Sequence, residues 1–322
     1  MRLRLALLTV MALGALPGTA LALPPTDPLP AVVSLGDSLA SGEGAGDYLD
    51  EGPCHRSRNA QLAVAGLPGT SYQILACSGA ETKEVLDTAQ GTEPPQLEQL
   101  RAFGSGYEIK LVLITVGAND LGFTGIVADC AVTFATSDKN CKDEWGPKLE
   151  PLLAELTPRL VKVVSEVRKG WPGARVVLQS YPSPIPVENR FSSRLGRALH
   201  GCPFSDEDAA WASDTFVPAL SGAIRTAARD TAVEFLDLTR AMAGREVCAA
   251  GITKEQEWTH GIKLNLKEDG TPEGVISRES LHPNKLGHAA LGACLAGFHA
   301  QHGNGLCTRE GETLKFHPVP FE

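Results

Sequence analysis

The sequence predicts an α/β protein with a mostly parallel central sheet flanked by helices. Three features predict it. Short segments rich in Val, Ile and Leu are apolar at nearly every position, as expected for strands covered on both faces. Helical patterns separate them, and glycine-, serine- or asparagine-bearing turns follow them, so strand and helix alternate along the chain.

The strand segments are Ala31–Leu35, Ile109–Val116, Ala174–Gln179 and Ala232–Leu236, with a weaker one at Ser71–Leu75. The main helical patterns are Leu149–Arg168, Asp206–Arg229 and Pro283–Phe298. Residues 120–148 and 182–205 carry cysteines or prolines without clear periodicity and are expected to be irregular loops at the rim. No repeat or low-complexity linker divides the chain, so residues 23–322 are expected to form a single domain.

Before that domain, "MRLRLALLTVMALGALPGTALALPP" has Arg2 and Arg4, an apolar run from Leu5 to Leu16, and the small residues Ala20 and Ala22. It reads as a secretory signal over residues 1–22, with an apolar run too short to span a bilayer comfortably. No cysteine follows the cleavage site to carry a lipid anchor, and no later segment reads as transmembrane. The mature protein is expected to be extracellular, monomeric and without stable membrane insertion.

The chain has 322 residues, 43% of them hydrophobic, enough to bury a substantial core. Its formal net charge of −9 lacks the basic surface that neutralises phosphates, which argues against nucleic acid as a partner. Eight cysteines, at 54, 77, 130, 141, 202, 248, 294 and 307, suit disulfides in a secreted protein. Zinc is the rival use, but no C-x-x-C pair is present. Pairing neighbours in order (Cys54–Cys77, Cys130–Cys141, Cys202–Cys248, Cys294–Cys307) closes the shortest loops, although the sequence leaves other pairings open.

In parallel α/β sheets, ligands bind outside the carboxyl ends of the strands. Gly36-Asp37-Ser38 follows the first strand, "ACSGA" the weak second and "GAND" the third, while "ESLHPNKLGH" places His282 before the last helix. A serine attacks only when a base takes its proton, and the oxyanion that develops needs preset N–H donors. Ser38 is thus the candidate nucleophile and His282 its base. The backbone N–H groups of Ser38 and Gly79 and the Asn119 amide are candidate oxyanion donors. Each has a plain alternative: an ordinary turn hydroxyl at Ser38, a turn asparagine, a helix-entry glycine, and a histidine that begins a helix ahead of Pro283.

Other residues compete for these roles. Ser78 sits in something close to the small-x-Ser-x-small elbow of α/β-hydrolases. His288 lies six residues past His282, about 600° of helical rotation if both share the last helix, and reads as a packing residue. His55 and His260 read as loop anchors, and Asp37 as an acceptor that holds its turn. Asp47, Asp50 and Glu51 lack the spacing of a calcium loop and read as a solvated face. Leu121, Phe123, Ile126, Val127, Val132 and Phe134 either line an acyl groove or pack the Cys130–Cys141 loop.

These blocks, "GDSLASGEG", "ACSGA", "GAND" and "SLHPNKLGH", resemble those of the GDSL or SGNH hydrolases, in family order over residues 34–288. "ASGEGAGDY", Cys54-His55-Arg56-Ser57 and "FLDLTRAMAGREVC" leading to "WTHGI" resemble the secreted, disulfide-containing actinobacterial esterases and lipases. The resemblance implies a flavodoxin-like sheet, serine-dependent hydrolysis of carboxylic esters through an acyl-enzyme, an ester or lipid substrate, and no metal or organic cofactor. It also implies three ordered disulfides, with Cys294 and Cys307 an additional pair. The family's usual Asp three residues before the histidine is replaced by Glu279, so either its carboxylate or the Ser280 main-chain carbonyl is the expected orienter of His282. Phospholipase A1, carbohydrate O-acetyl esterase and a catalytically silent binding module are the competing functions.

Overall fold

The computed structural model describes residues 27–49, 52–263 and 276–320. The expected signal segment, and Asp50 and Glu51, lie outside the described residues.

Seven strands form one sheet in the order β2-β1-β3-β4-β5-β6-β7. They are β1 (Leu29–Gly36), β2 (Ser71–Ile74), β3 (Tyr107–Thr115), β4 (Arg175–Gln179), β5 (Glu234–Asp237), β6 (Gly305–Glu310) and β7 (Thr313–Pro318). All pair in parallel except β6 with β7. The first five follow the flavodoxin-like order 2-1-3-4-5, whose switch point beside β1 is where ligands bind.

The helices are α1 (Ser38–Ser41), α2 (Gln61–Val64), α3 (Thr82–Leu86), α4 (Gln96–Gly104), α5 (Phe123–Thr136), α6 (Lys142–Gly170), α7 (Arg194–Leu199), α8 (Asp206–Trp211), α9 (Val217–Asp230) and α10 (Lys285–Gln301). A π-helical turn, Ala212–Phe216, joins α8 to α9.

Both sheet faces are buried, which explains the nearly continuous apolar strands. Ala31, Val33 and Leu35 of β1 enter one core with residues of α4, α6 and α9, while Val32 enters the other beneath α2 and α10. In β3 the side-chain parity flips after Ile109. Ile109 pairs with Ala31 but Leu111 with Val32, so the extra residue, exposed Lys110, forms a bulge. Val112 and Ile114 thereby face the same core as Val33 and Leu35.

Three expectations are corrected. Most of 120–148 is helical: Ile126, Val127, Cys130 and Phe134 form the buried stripe of α5, and α6 starts at Lys142 despite Pro147, Pro151 and Pro158 within it. An interior proline costs roughly 3 kcal/mol, but α6 buries Leu149, Leu156, Leu160, Val163, Val164 and Val167, which offsets that cost. Residues 182–205 are irregular apart from α7. Strand β5 starts only at Glu234, because Ala232 adopts a left-handed φ of 51°.

The β6–β7 hairpin is additional to the expected strands and turns through Gly311, at φ 63°. The sulfur atoms are bonded as Cys54–Cys77, Cys130–Cys141, Cys202–Cys248 and Cys294–Cys307. Each such link is typically worth about 2–4 kcal/mol. The first anchors the turn that carries Ser78 and Gly79. Among the described residues, no helix is long and apolar enough to cross a membrane.

Candidate active site

Ser38 begins α1 directly beyond β1. The chain turns sharply at Gly36, where φ is 128° and an added Cβ would lie 1.8 Å from the Thr115 carbonyl oxygen. Only glycine accepts both constraints. The Gln96 amide brackets this peptide, accepting from Gly36 N at 2.7 Å and donating to its carbonyl at 2.8 Å. Asp37 caps the helix by accepting from Leu39 N at 3.1 Å, in keeping with the turn-holding role read from its sequence.

His282 arrives from the other end of the chain. Leu281 turns at φ 61°, and the His282 carbonyl accepts from His260 N at 2.9 Å. His282 Nε2 lies 2.6 Å from Ser38 Oγ, and Nδ1 lies 3.1 Å from the Ser280 carbonyl oxygen. A carbonyl can only accept, so Nδ1 carries the ring proton and Nε2 is left to accept from the serine hydroxyl. Burial pushes the His282 pKa below its usual value, against the opposing influence of Glu43 and the Ser280 carbonyl. The ring is therefore neutral at neutral pH.

Of the two candidate orienters, Ser280 is the one in contact. Glu279 turns away, with an oxygen 2.6 Å from Lys263 Nζ and its other oxygen 3.7 Å from His260 Nε2. His282 precedes α10, which Asn284 caps through Leu286 N and Gly287 N. The rotation argument that separated it from His288 therefore does not apply. His288 is nevertheless fully buried in packing: its Nδ1 accepts from Gln61 N at 3.2 Å, and its Nε2 donates to the Glu43 carbonyl at 3.3 Å.

Gly79 sits at φ 86° on a turn secured by the Gln90 amide, which donates to the Ser78 carbonyl at 2.8 Å. Among the described residues, the N–H groups of Ser38 and Gly79 meet no protein acceptor. Asn119 directs one amide proton to the Ala80 carbonyl at 2.9 Å, which leaves its second free to donate. Ser38, Gly79, Asn119 and His282 all line one cavity of about 260 Å³. The Ser78 hydroxyl instead donates to Glu43 at 2.7 Å, without a histidine base beside it.

Although Thr124, Thr259, Ser277 and Arg278 also line the cavity, part of its wall is apolar. Phe123 and Val127 of α5 contribute, as do Phe216, Val217, Leu220 and Leu281. Of the other apolar candidates, Leu121, Ile126 and Phe134 pack in the interior, and Val132 is half exposed. Asp47 pairs with Arg58 at 3.0 Å, and among the described residues no group of three or more His, Cys, Asp or Glu is placed to hold a metal ion.

Sequence reasoning missed two contributors. Tyr181, just past β4, donates to Asp37 Oδ2 at 2.5 Å and accepts from Ala118 N at 3.3 Å, which ties the Ser38 turn to the Asn119 turn. Glu43 is a buried carboxylate beside the same turn. Tyr181 belongs to no quoted motif, and Glu43, although inside the "GDSLASGEG" block, was assigned no role there.

A serine–histidine pair at the switch point of a parallel sheet is the arrangement that serine-dependent hydrolysis requires. Residues 34–290 match the GDSL-like lipase/acylhydrolase family, and the chain belongs to that family of carboxylic ester hydrolases. It is 32% identical over 246 residues to Lipase 1 of Streptomyces coelicolor, covering 74% of this chain and 80% of that one. It is also 29% identical over 243 residues to a lipase of Streptomyces rimosus, with the same coverages. Among solved structures it is similar to the phospholipase A1 of Streptomyces albidoflavus NA297 (TM-score 0.61, 27% identity, 84% of this chain and 99% of that one). The extracellular lipase of Streptomyces rimosus is also similar (TM-score 0.58, 28% identity, 80% and 94%).

Proposed function

We propose that this protein is an extracellular single-domain lipase or esterase in which Ser38 is the nucleophile and His282 the general base. The observation that carries the reading is the 2.6 Å contact between His282 Nε2 and Ser38 Oγ, with Nδ1 held by the Ser280 carbonyl. In the first step Ser38 Oγ bonds to the ester carbonyl carbon while its proton passes to Nε2. Charge develops on the carbonyl oxygen, where the N–H groups of Ser38 and Gly79 and the Asn119 amide receive it. The imidazolium then gives its proton to the departing alcohol as the C–O bond breaks, leaving an acyl-enzyme. Water repeats the sequence and releases the acid.

The apolar part of the cavity wall, formed by Phe123, Val127, Phe216 and Leu220, favours an acyl chain over an acetyl group alone. Likeness to both a lipase and a phospholipase A1 keeps a glycerophospholipid as the second substrate reading. The test is hydrolysis of p-nitrophenyl esters from acetyl to palmitoyl, and of phosphatidylcholine, by wild type and Ser38→Ala. Loss of at least ~10³-fold in the variant is expected from the loss of a nucleophile, with wild-type rates rising beyond acetyl. A fully active Ser38→Ala protein would overturn the assignment.

A further inference from the structure

The Glu43 side chain is 2% exposed, yet it takes no part in the steps above. Its Oε2 accepts from the Ser78 hydroxyl at 2.7 Å, and its Oε1 accepts from the Tyr48 hydroxyl at 3.2 Å. His55 Nδ1 lies 3.0 Å from the same Oε1, and Arg278 Nη1 lies 3.0 Å from His55 Nε2. A guanidinium only donates, so Nε2 is the acceptor and the ring proton sits on Nδ1, directed at Glu43.

The backbone here is wedged between the two reacting residues. Glu43 N donates to the Ser38 carbonyl at 2.9 Å, and a Cβ added at Gly44 would lie 3.2 Å from His282 Cβ. Burial pushes Glu43 up, but the Ser78 and His55 hydrogen bonds and the nearby histidines more than offset it, so the carboxyl stays below its usual range and is ionised at neutral pH. Among the groups that face His282, Glu43 and the Ser280 and Arg278 carbonyls favour the imidazolium, while His260, bonded through Nε2 to the Gly44 carbonyl at 2.8 Å, opposes it. Glu279 is engaged by Lys263.

We propose that Glu43 is a positioning residue of the reaction. Through Ser78 it holds the Gly79 N–H against the nucleophile turn, and its charge stabilises the imidazolium formed when His282 takes the Ser38 proton. The proposal rests on the Ser38–His282 reading. It gives Glu43, from the opposite end of the chain, the electrostatic part that a carboxylate hydrogen-bonded to the histidine plays in a Ser-His-Asp triad.

The experiment is the pH dependence of kcat and kcat/KM on one p-nitrophenyl ester for wild type, Glu43→Gln, Ser78→Ala and Ser38→Ala, with thermal melts to verify folding. Glu43→Gln is expected to lower kcat roughly 10- to 100-fold with KM nearly unchanged, the signature of an interaction felt in the transition state. It should also move the acid limb to lower pH, because the ring loses the charge that favours its protonation. Ser78→Ala should lower kcat by about tenfold and leave the acid limb in place, since the carboxylate remains.

A Glu43→Gln acid limb that superimposes on wild type would overturn the electrostatic role. If that variant does not fold, an unchanged kcat in Ser78→Ala overturns the proposal on its own. An active Ser38→Ala protein would instead sink the underlying nucleophile assignment, which separates the two failures.

Discussion

The Tyr181 hydroxyl donates to Asp37 Oδ2 at 2.5 Å beneath the turn that presents Ser38, across 144 positions of sequence. The same oxygen accepts from Ala118 N, so one phenol joins two of the turns that build the site. Tyr181→Phe keeps the ring and removes the link. A buried hydrogen bond is typically worth about 0.5–1.5 kcal/mol, and more where the acceptor is charged. Denaturant unfolding should show a loss of about that size, and kcat should fall as the Asn119 turn loosens. Unchanged stability and rate would show that the link is dispensable.

Asp37 makes stability pH-dependent in an unusual direction. Burial raises its pKa from 3.8 to about 7, despite the opposing bonds from Tyr181 and Leu39 N. Between those values the folded chain holds a proton that the unfolded chain has released, so this group's contribution is fully present below pH 3.8 and is lost as pH rises through 7. His282 and His288, both depressed by burial, act oppositely. Subtracting the Asp37→Asn stability profile from wild type isolates the carboxyl. The difference should favour wild type more at pH 4 than at pH 8, and parallel profiles would show that the carboxyl titrates normally.

In the proposed mechanism the neutral form of His282 is the base. Its pKa is lowered from 6.5 mainly by burial, so the acid limb of kcat/KM should fall below pH 6.5. A rate profile measured where the protein remains folded checks this. An acid limb above pH 6.5 would require a different base or a more exposed ring.

The candidate reacting groups could be picked out in the sequence because each follows a strand or precedes a helix. The parallel sheet then gathers those ends, so Ser38, Gly79, Asn119 and His282 meet without any knowledge of side-chain contacts. Tyr181 and Glu43 were not legible, since their importance lies in partners brought together only by folding. The β6–β7 hairpin was missed because Arg309, Glu310, Glu312 and Lys315 make it read as polar surface. Of these, Lys315 lies on the edge strand β7, where charge resists pairing with another chain. Helix α6 was read from Leu149 only, because prolines obscured a start that long-range packing supports.

Glu279 occupies the position where the family's usual aspartate stands, but its carboxylate is committed to Lys263 while the Ser280 carbonyl contacts His282. Glu279→Gln should therefore keep kcat/KM within about threefold of wild type, the range of a surface substitution remote from the reacting atoms. A thousandfold loss in a folded variant would restore the carboxylate to the histidine.

Chain-length preference should respond to Val127. Its side chain lies on the buried stripe of α5 and lines the cavity with Phe123, whose ring centroid is 6.1 Å from that of Phe216. Val127→Phe adds bulk to a space of about 260 Å³ without adding a polar group. Filling the pocket costs binding only for acyl chains that reach it, and a methylene denied burial loses about 0.8 kcal/mol. Rates on octanoyl and longer esters should drop at least ~10-fold relative to acetyl, with acetyl hydrolysis close to wild type because Ser38 and His282 are untouched. Measuring kcat/KM across the series decides the matter. A uniform decline at every length would mean that Val127 supports the fold but does not contact the acyl chain, and that the chain lies along another wall of the cavity.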